Sequence, residues 1–222
     1  MRPHGGPPHN VVAHPAGPSS GVDLALGGKR EATKAANRAA IVAAAREVFA
    51  DIGFGAASVR DIIRRTDLAT GTFYNYFPDK EAVLVEILDE TAGEIRERVR
   101  AARRGATSME DFVRGGFEAY FRFLAEDPLT LDLLRRNAGT IRAMFDEPSV
   151  GAGTEELRDD LEAGIAAGLL PPHDSRLMAA AMIGAGFEVG IRILDRGEPD
   201  VESAVSLLAT VFVSGLERLG TR

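Results

Sequence analysis

The chain has 222 residues, 45% of them hydrophobic and 27% charged, with a net charge of −7 and no cysteine. That is enough for one large or two modest domains with a real core, and it excludes disulfides and thiolate metal sites. No apolar run reaches the roughly 18 residues of a membrane span and the N-terminus lacks the apolar core of a signal peptide, so a cytoplasmic protein with no membrane partner is expected.

Charge is unevenly distributed. Residues 29–80 hold nine Lys/Arg against six acids, whereas residues 81–222 hold sixteen against twenty-six. Attraction to phosphates acts over about a Debye length, ~8 Å, so a small basic head on an acidic body can still bind DNA.

Residues 1–28 carry five of the eleven prolines and three of the four histidines in a Gly-rich run. This reads as a disordered tail, and the irregular spacing of His4, His9 and His14 argues against a metal tract. The basic residues from Lys29 to Arg38 suit an arm that brushes phosphates. The first firm helix is expected from Asn37 to Ile52, with Ile41, Ala44, Ala45, Val48, Phe49 and Ile52 as its apolar stripe and Gly53 as a left-handed terminator.

Ser58 to Lys80 reads as two short helices joined by a tight turn. Ser58 is a good N-cap, and Val59, Ile62 and Ile63 share one face. Asp67-Leu68-Ala69 interrupts the periodicity, a second helix begins at Thr70 or Gly71, and Pro78 stops it. This is the helix-turn-helix pattern, whose second helix enters a DNA major groove. Phe73 and Phe77 can pack inward, leaving Thr72, Tyr74, Asn75 and Tyr76 outside. Asn reads adenine edges, Thr touches a base or its methyl, and Tyr hydroxyls donate to phosphate. An ordinary solvated polar face is the plainer alternative.

From Asn37-Arg38 through Ile41, Ala44, Phe49, Gly53-Phe54 and the Gly71–Lys80 string GTFYNYFPDK, the chain resembles the N-terminal domain of the TetR family of transcriptional repressors. Asp67 departs from the turn Gly common in that family and Ala69 from its frequent capping Ser. Asp tolerates left-handed dihedrals, and Thr70 is available to cap one position later. The resemblance implies a DNA-facing set of Ser58, Arg60, Thr70, Gly71, Thr72, Tyr74, Asn75, Tyr76 and Lys80. Within it Ser58, Tyr74, Tyr76 and Lys80 would hold phosphates, Arg60, Thr72 and Asn75 would read bases, and Gly71 would allow close backbone approach.

After Pro78, Asp79 can cap a long helix to Arg104. Its second half, Glu94 to Arg100, carries charges at helical spacing and reads as a lever or a solvated connector. Ser108–Glu126 is the most aromatic stretch. Phe112, Phe117, Tyr120, Phe121 and Leu124 on one face, with Leu134, Asn137, Ile141 and Phe145 beyond, are candidates to line an apolar ligand pocket, though an aromatic stripe is more often core. A helix opening at Pro128 fades near Asn137, Thr140–Phe145 forms a further turn, Glu147–Gly153 is a loop, and Thr154–Gly168 is helical again. Arg135, Arg136 and Arg142 are surface charges or contacts for an anionic ligand. Glu155-Glu156 and Asp159-Asp160 read as a solvated face. The last helices run from Asp174 to Arg196, with costly Gly184, Gly186 and Gly190, and from Pro199 to Leu219.

The expected fold is therefore all-α: a tail (1–28), a helix-turn-helix DNA-binding domain (29–80) and a helical ligand-binding and dimerisation domain (81–222). With His173 the sole histidine outside the tail, and no phosphate loop or metal spacing, no catalytic constellation assembles and no cofactor is implied. The reading that follows is a homodimeric, sequence-specific transcriptional regulator, a repressor of a near-palindromic operator in double-stranded DNA released by a small lipophilic effector. The Arg-Arg-Asn run and its Phe-rich neighbours resemble regulators of lipid metabolism, which points to acyl-CoA or fatty acid. The alternative is an all-helical homo-oligomeric ligand-binding or interaction module that does not bind DNA.

Overall fold

A computed structural model describes residues 20–145, 148–193 and 200–220. Among them are ten helices and no strand: α1 (Ser20–Asp51), α2 (Val59–Ile63), α3 (Thr70–Phe73), α4 (Lys80–Arg104), α5 (Met109–Glu126), α6 (Pro128–Arg136), α7 (Ala138–Ala143), α8 (Pro148–Ala166), α9 (Ser175–Gly190) and α10 (Val201–Gly220). The chain divides ahead of Arg38 into two packing units. In the first, residues 29–34 are solvent-exposed and Thr33 donates its hydroxyl to the Lys29 carbonyl. Most of the tail expected to be disordered, with His4, His9 and His14, lies outside the described residues. Helix α1 already begins at Ser20, upstream of the expected start at Asn37; only from Lys29 to Ala36, KREATKAA, does composition favour helix, and there no apolar stripe announces it.

In the second unit, Ile41, Ala45, Val48 and Phe49 of α1 are fully buried in the same hydrophobic core as Ile62 of α2 and Phe73 of α3. Ile52, expected in that stripe, is exposed because α1 ends at Asp51. Gly53 then adopts a left-handed φ of 81°. Helix α5 lies between α4 and α10, and α8 joins α4 to α9. The aromatic stripe of α5 is largely core, with Phe117 stacked on Phe121 and on Phe212 of α10 at 5.6 Å.

Two expectations are corrected. Helix α8 starts at Pro148, not Thr154, so Gly151 and Gly153 are helical rather than part of a loop. A Cβ at Gly151 would lie 2.6 Å from the Phe145 carbonyl oxygen, so this glycine is there to let α8 close on the end of α7. Helix α10, with a mean hydropathy of 1.2, is long and apolar enough to cross a membrane by length and composition alone, where no such segment is expected. It buries Val205 and Leu216 in the bundle and leaves Leu207 and Val211 exposed. Among the α9 glycines, a Cβ at Gly190 would meet Leu124 at 2.8 Å and the Tyr120 hydroxyl at 3.0 Å, whereas Gly184 has open space.

The two helical glycines at opposite extremes give a test. Gly151→Ala should destabilise the protein by about 1–3 kcal/mol through its backbone clash. Gly139→Ala, exposed in α7 with nothing within 4 Å of the new methyl, should stabilise it by up to about 1 kcal/mol. Paired denaturant titrations showing the same sign for both would contradict these packing assignments.

Candidate functional site

The helix-turn-helix is built by local chemistry. Ser58 and Asp61 form a capping box at the start of α2: the Asp61 N–H donates to Ser58 Oγ at 3.3 Å, and Asp61 Oδ2 accepts from the Ser58 N–H and hydroxyl at 3.0 and 2.5 Å. These bonds hold the Asp61 carboxyl below the ordinary carboxylate value. The turn contains no left-handed residue. Thr66 closes it instead, donating its hydroxyl to the Ile63 carbonyl and accepting from the Leu68 N–H, so neither a turn Gly nor a left-handed Asp67 is needed. Ala69 occupies the N-cap of α3 without a side-chain bond, and Thr70 is the first helical residue rather than the cap. The helical hydrogen bonding continues past α3, from the Asn75, Tyr76 and Phe77 N–H groups to Thr72 and Phe73 carbonyls.

Phe73 and Phe77 anchor this rod in the core, at 0% and 3% exposure. Around them Ser58, Arg60, Thr70, Gly71, Tyr74 and Asn75 are exposed, while Thr72, Tyr76 and Lys80 are half-buried. Tyr74 stands edge-on to Phe73, which steadies an otherwise free ring. Lys80 is less available than expected. Its ammonium donates to the Phe54 and Ala57 carbonyls at 2.8 and 2.9 Å and lies over the Phe54 ring, so only its third N–H remains for a phosphate. Arg38 does not belong to a phosphate-brushing arm: it pairs with Glu86 of α4 and sits over Phe77. Arg65 is likewise held by Asp51 and Glu47 of α1.

Asn137, expected in the ligand pocket, joins the helix-turn-helix to α6. Its Nδ2 donates to the Phe49 and Leu133 carbonyls at 2.9 and 2.7 Å, and its Oδ1 accepts from the Phe54 N–H at 2.6 Å. Beside it Arg136 Nε donates to the Ala50 carbonyl, and Arg46 of α1 donates to the buried Thr130 hydroxyl. The end of α1 is therefore capped by side chains of the body.

The cavity lies between α4, α5, α8 and α9, with Leu134 of α6 and Ile141 of α7 in its wall, and has a volume of about 170 Å³. Five of the candidate residues line it: Phe117, Tyr120, Leu134, Ile141 and Phe145. Phe112, Phe121 and Leu124 do not, being packed into the core, where the Phe112 ring lies under the Arg103 guanidinium. Arg135, Arg136 and Arg142 are engaged elsewhere, with Asp132, the Ala50 carbonyl and Glu188. The charged part of the cavity comes instead from Arg96, Arg100 and Arg103 of α4 with Glu156 and Asp160 of α8. The stretches read as a solvated connector and a solvated face thus turn inward at these positions. Their signal was the spacing: Arg96, Arg100 and Arg103 recur on the same face as Ala92 and Val99, as do Glu156 and Asp160 with Leu157 and Leu161.

Arg103 is the deepest cation, with 12% side-chain exposure, and burial pulls its pKa down while the Asp160 carboxylate opposes that pull. Tyr120 keeps some accessible surface because it faces the cavity, and burial among its neighbours pushes its phenol well above the ordinary value. It is a hydroxyl donor at any working pH.

Residues 41–87 match the family of bacterial regulatory proteins, tetR family. The chain carries a TetR-family helix-turn-helix domain. Members of that family are transcriptional regulators. Solved structures share the all-α fold over 77–85% of this chain. The fatty acid degradation regulator FadR from Bacillus halodurans is 24% identical with a TM-score of 0.68, covering 78% of this chain and 93% of its own. FadR from Bacillus subtilis in complex with stearoyl-CoA is 22% identical with a TM-score of 0.66, covering 77% and 97%. A TetR-family regulator from Pectobacterium atrosepticum is 23% identical with a TM-score of 0.64, covering 85% and 96%. At these identities the likeness establishes the fold.

Removing the Asn137 amide strands the Phe54 N–H and the Phe49 carbonyl. Asn137→Ala should therefore cost about 2 kcal/mol or more in a denaturant titration, and a cost near zero would mean water replaces the amide freely. A pH effect follows from Asp61. Its folded pKa lies below its unfolded one, so it contributes stability at neutral pH that is lost as pH falls through the folded value. Asp61→Ala should be less stable than the parent at pH 7, with the gap closing on acidification. A gap that stays constant in melts from pH 7 to pH 3 would remove this role.

Proposed function

We propose that the chain is a cytoplasmic, homodimeric, sequence-specific DNA-binding repressor that a small lipophilic effector releases from its operator. Residues 29–80 form the DNA-reading head, and residues 81–222 form the body that binds effector and pairs with a second copy. The observation that carries this reading is the joint placement of the cavity: it is lined by α4, which starts just after the recognition segment, and by Leu134 and Ile141, which flank the Asn137 clamp on α1.

Reading of DNA is assigned to the exposed surface of α3 and the turn after it. Asn75 and Arg60 present side chains for base edges, Tyr74 and Ser58 for phosphates, and Gly71 has open space where a backbone can approach DNA. Pairing is assigned to α9 and α10, where Leu177, Leu207 and Val211 are 55–61% exposed, more apolar surface than a lone molecule needs. A two-fold dimer presents two recognition segments, which calls for a near-palindromic operator with half-sites about 34–36 Å apart in the simplest case. Effector and DNA must each weaken the other by the same factor. An apolar cavity beside that junction, in a fold shared with a regulator solved with stearoyl-CoA, favours an acyl chain as effector.

The test is an electrophoretic shift with DNA from the chain's own upstream region. The intact protein should bind and should be released by long-chain acyl-CoA or fatty acid, with no release by a cationic dye. Asn75→Ala should relax preference at one base position at a cost of about 1–3 kcal/mol on the preferred site. Absence of any shift, in a protein that still dimerises and binds acyl chains, would favour the helical ligand-binding module without DNA binding.

A further inference from the structure

The cavity is polarised along α4. Its α4 lining runs Leu88, Thr91, Ala92 and Ile95, then Arg96, Val99, Arg100 and Arg103, a rise of about 22 Å from first to last. Thr91 is already satisfied by the Ile87 carbonyl, so the first half presents no free polar group. Three arginines in the second half face two carboxylates. Glu156 pairs with Arg100 at 2.7 Å and Arg96 at 3.5 Å, and Asp160 contacts Nη1 of Arg103 at 3.2 Å.

That contact leaves the other edge of the Arg103 guanidinium unused. Its Nε is buried with no hydrogen-bond partner. The edge rests on Gly116, where a Cβ would come within 3.1 Å of Nε and 3.2 Å of Nη2, so the glycine is what gives the guanidinium its place in the cavity wall. The unmatched Nε makes Arg103 a costly residue to bury, and its charge is only partly offset by the single Asp160 contact, so an anion in the cavity would be favoured beside it. With the Nε/Nη2 edge covered by Gly116, the cavity-facing part of the guanidinium is the side that now meets Asp160, and a ligand carboxylate or phosphate would bond there. One turn along α5, Tyr120 lines the same cavity.

Resting on the reading of this cavity as the effector site, we propose that its ligand is a single-chain amphiphile with an anionic head. The chain lies along α4 towards Leu88, and the head is anchored by Arg103, with Arg100 and Arg96 beside it. The anion takes the arginines in competition with Asp160 and Glu156, so binding exchanges α4–α8 ion pairs for α4–ligand ones and loosens α8 from α4. A carboxylate of a fatty acid and a phosphate of an acyl-CoA share this chemistry, whereas a neutral or cationic amphiphile of equal length lacks it.

The experiment measures binding of palmitate, palmitoyl-CoA, hexadecanol and hexadecyltrimethylammonium to the full chain below their aggregation limits, by displacement of a fluorescent lipid probe. Palmitate, palmitoyl-CoA or both should bind about tenfold or more tighter than hexadecanol, with the cationic chain weakest. Preference for palmitate identifies the carboxylate source, and preference for palmitoyl-CoA the phosphate one. R103Q should lose the preference for the anion over hexadecanol. D160N, which removes a competitor while keeping the shape, should tighten anion binding severalfold, and it carries the test if R103Q fails to fold. Equal affinity for palmitate, palmitoyl-CoA and hexadecanol, or a D160N that weakens anion binding, would overturn the anionic anchor while leaving a lipophilic effector intact. Failure of every chain to bind would overturn the effector reading itself.

Discussion

A single amide holds the two working parts of this molecule in register. Asn137 is 4% exposed, and it completes the hydrogen bonds on both sides of the left-handed Gly53: the Phe49 carbonyl before it and the Phe54 N–H after it. The chain end of a helix leaves carbonyls unsatisfied, and here a side chain from another element satisfies one. The amide offers two N–H donors and a carbonyl acceptor on one short side chain, whereas Asp would present two acceptors to a carbonyl. Since Leu134 and Ile141 lie about a turn to either side, the clamp and part of the cavity wall belong to the same short α6–α7 segment.

Charge in this protein is spent on internal joints as much as on its surface. The helix-turn-helix region has an excess of cations by count, but Arg38, Arg65 and Lys80 are engaged with Glu86, Asp51 and backbone carbonyls. The acidic body, conversely, contains a basic cluster that lines the cavity, Arg96, Arg100 and Arg103. Net charge per segment therefore describes attraction at a distance and misplaces the contacts that matter close in.

Much of the architecture could be read from the chain because it is locally encoded. Ser58, Asp79 and Asp174 each cap the helix expected to follow, and Gly53 ends α1 where a left-handed residue was needed. Legibility fails where a residue's role depends on a partner distant in sequence. Gly151 looks like loop punctuation until the Phe145 carbonyl is placed against it, and Gly190 is unexplained until Leu124 and Tyr120 are. Phe121 and Tyr120 are neighbours on an aromatic helix, yet only Tyr120 lines the cavity. Asn137 stood in a run that suggested a ligand contact, and nothing local reveals that its partners are 83 and 88 residues away.

The length of α4 has a mechanical consequence. It is one unbroken helix from Lys80 to Arg104, about 37 Å long, with the cavity's basic cluster at one end and the Asp79 cap next to Pro78 at the other. A stiff rod pivoting near one extremity carries a tilt of only 5° into a displacement of about 3 Å at the far tip. Hydrogen bonds to base edges tolerate far less than that, so under the proposed DNA-reading role a change in the body too slight to alter its helical content would suffice to break contact with a groove.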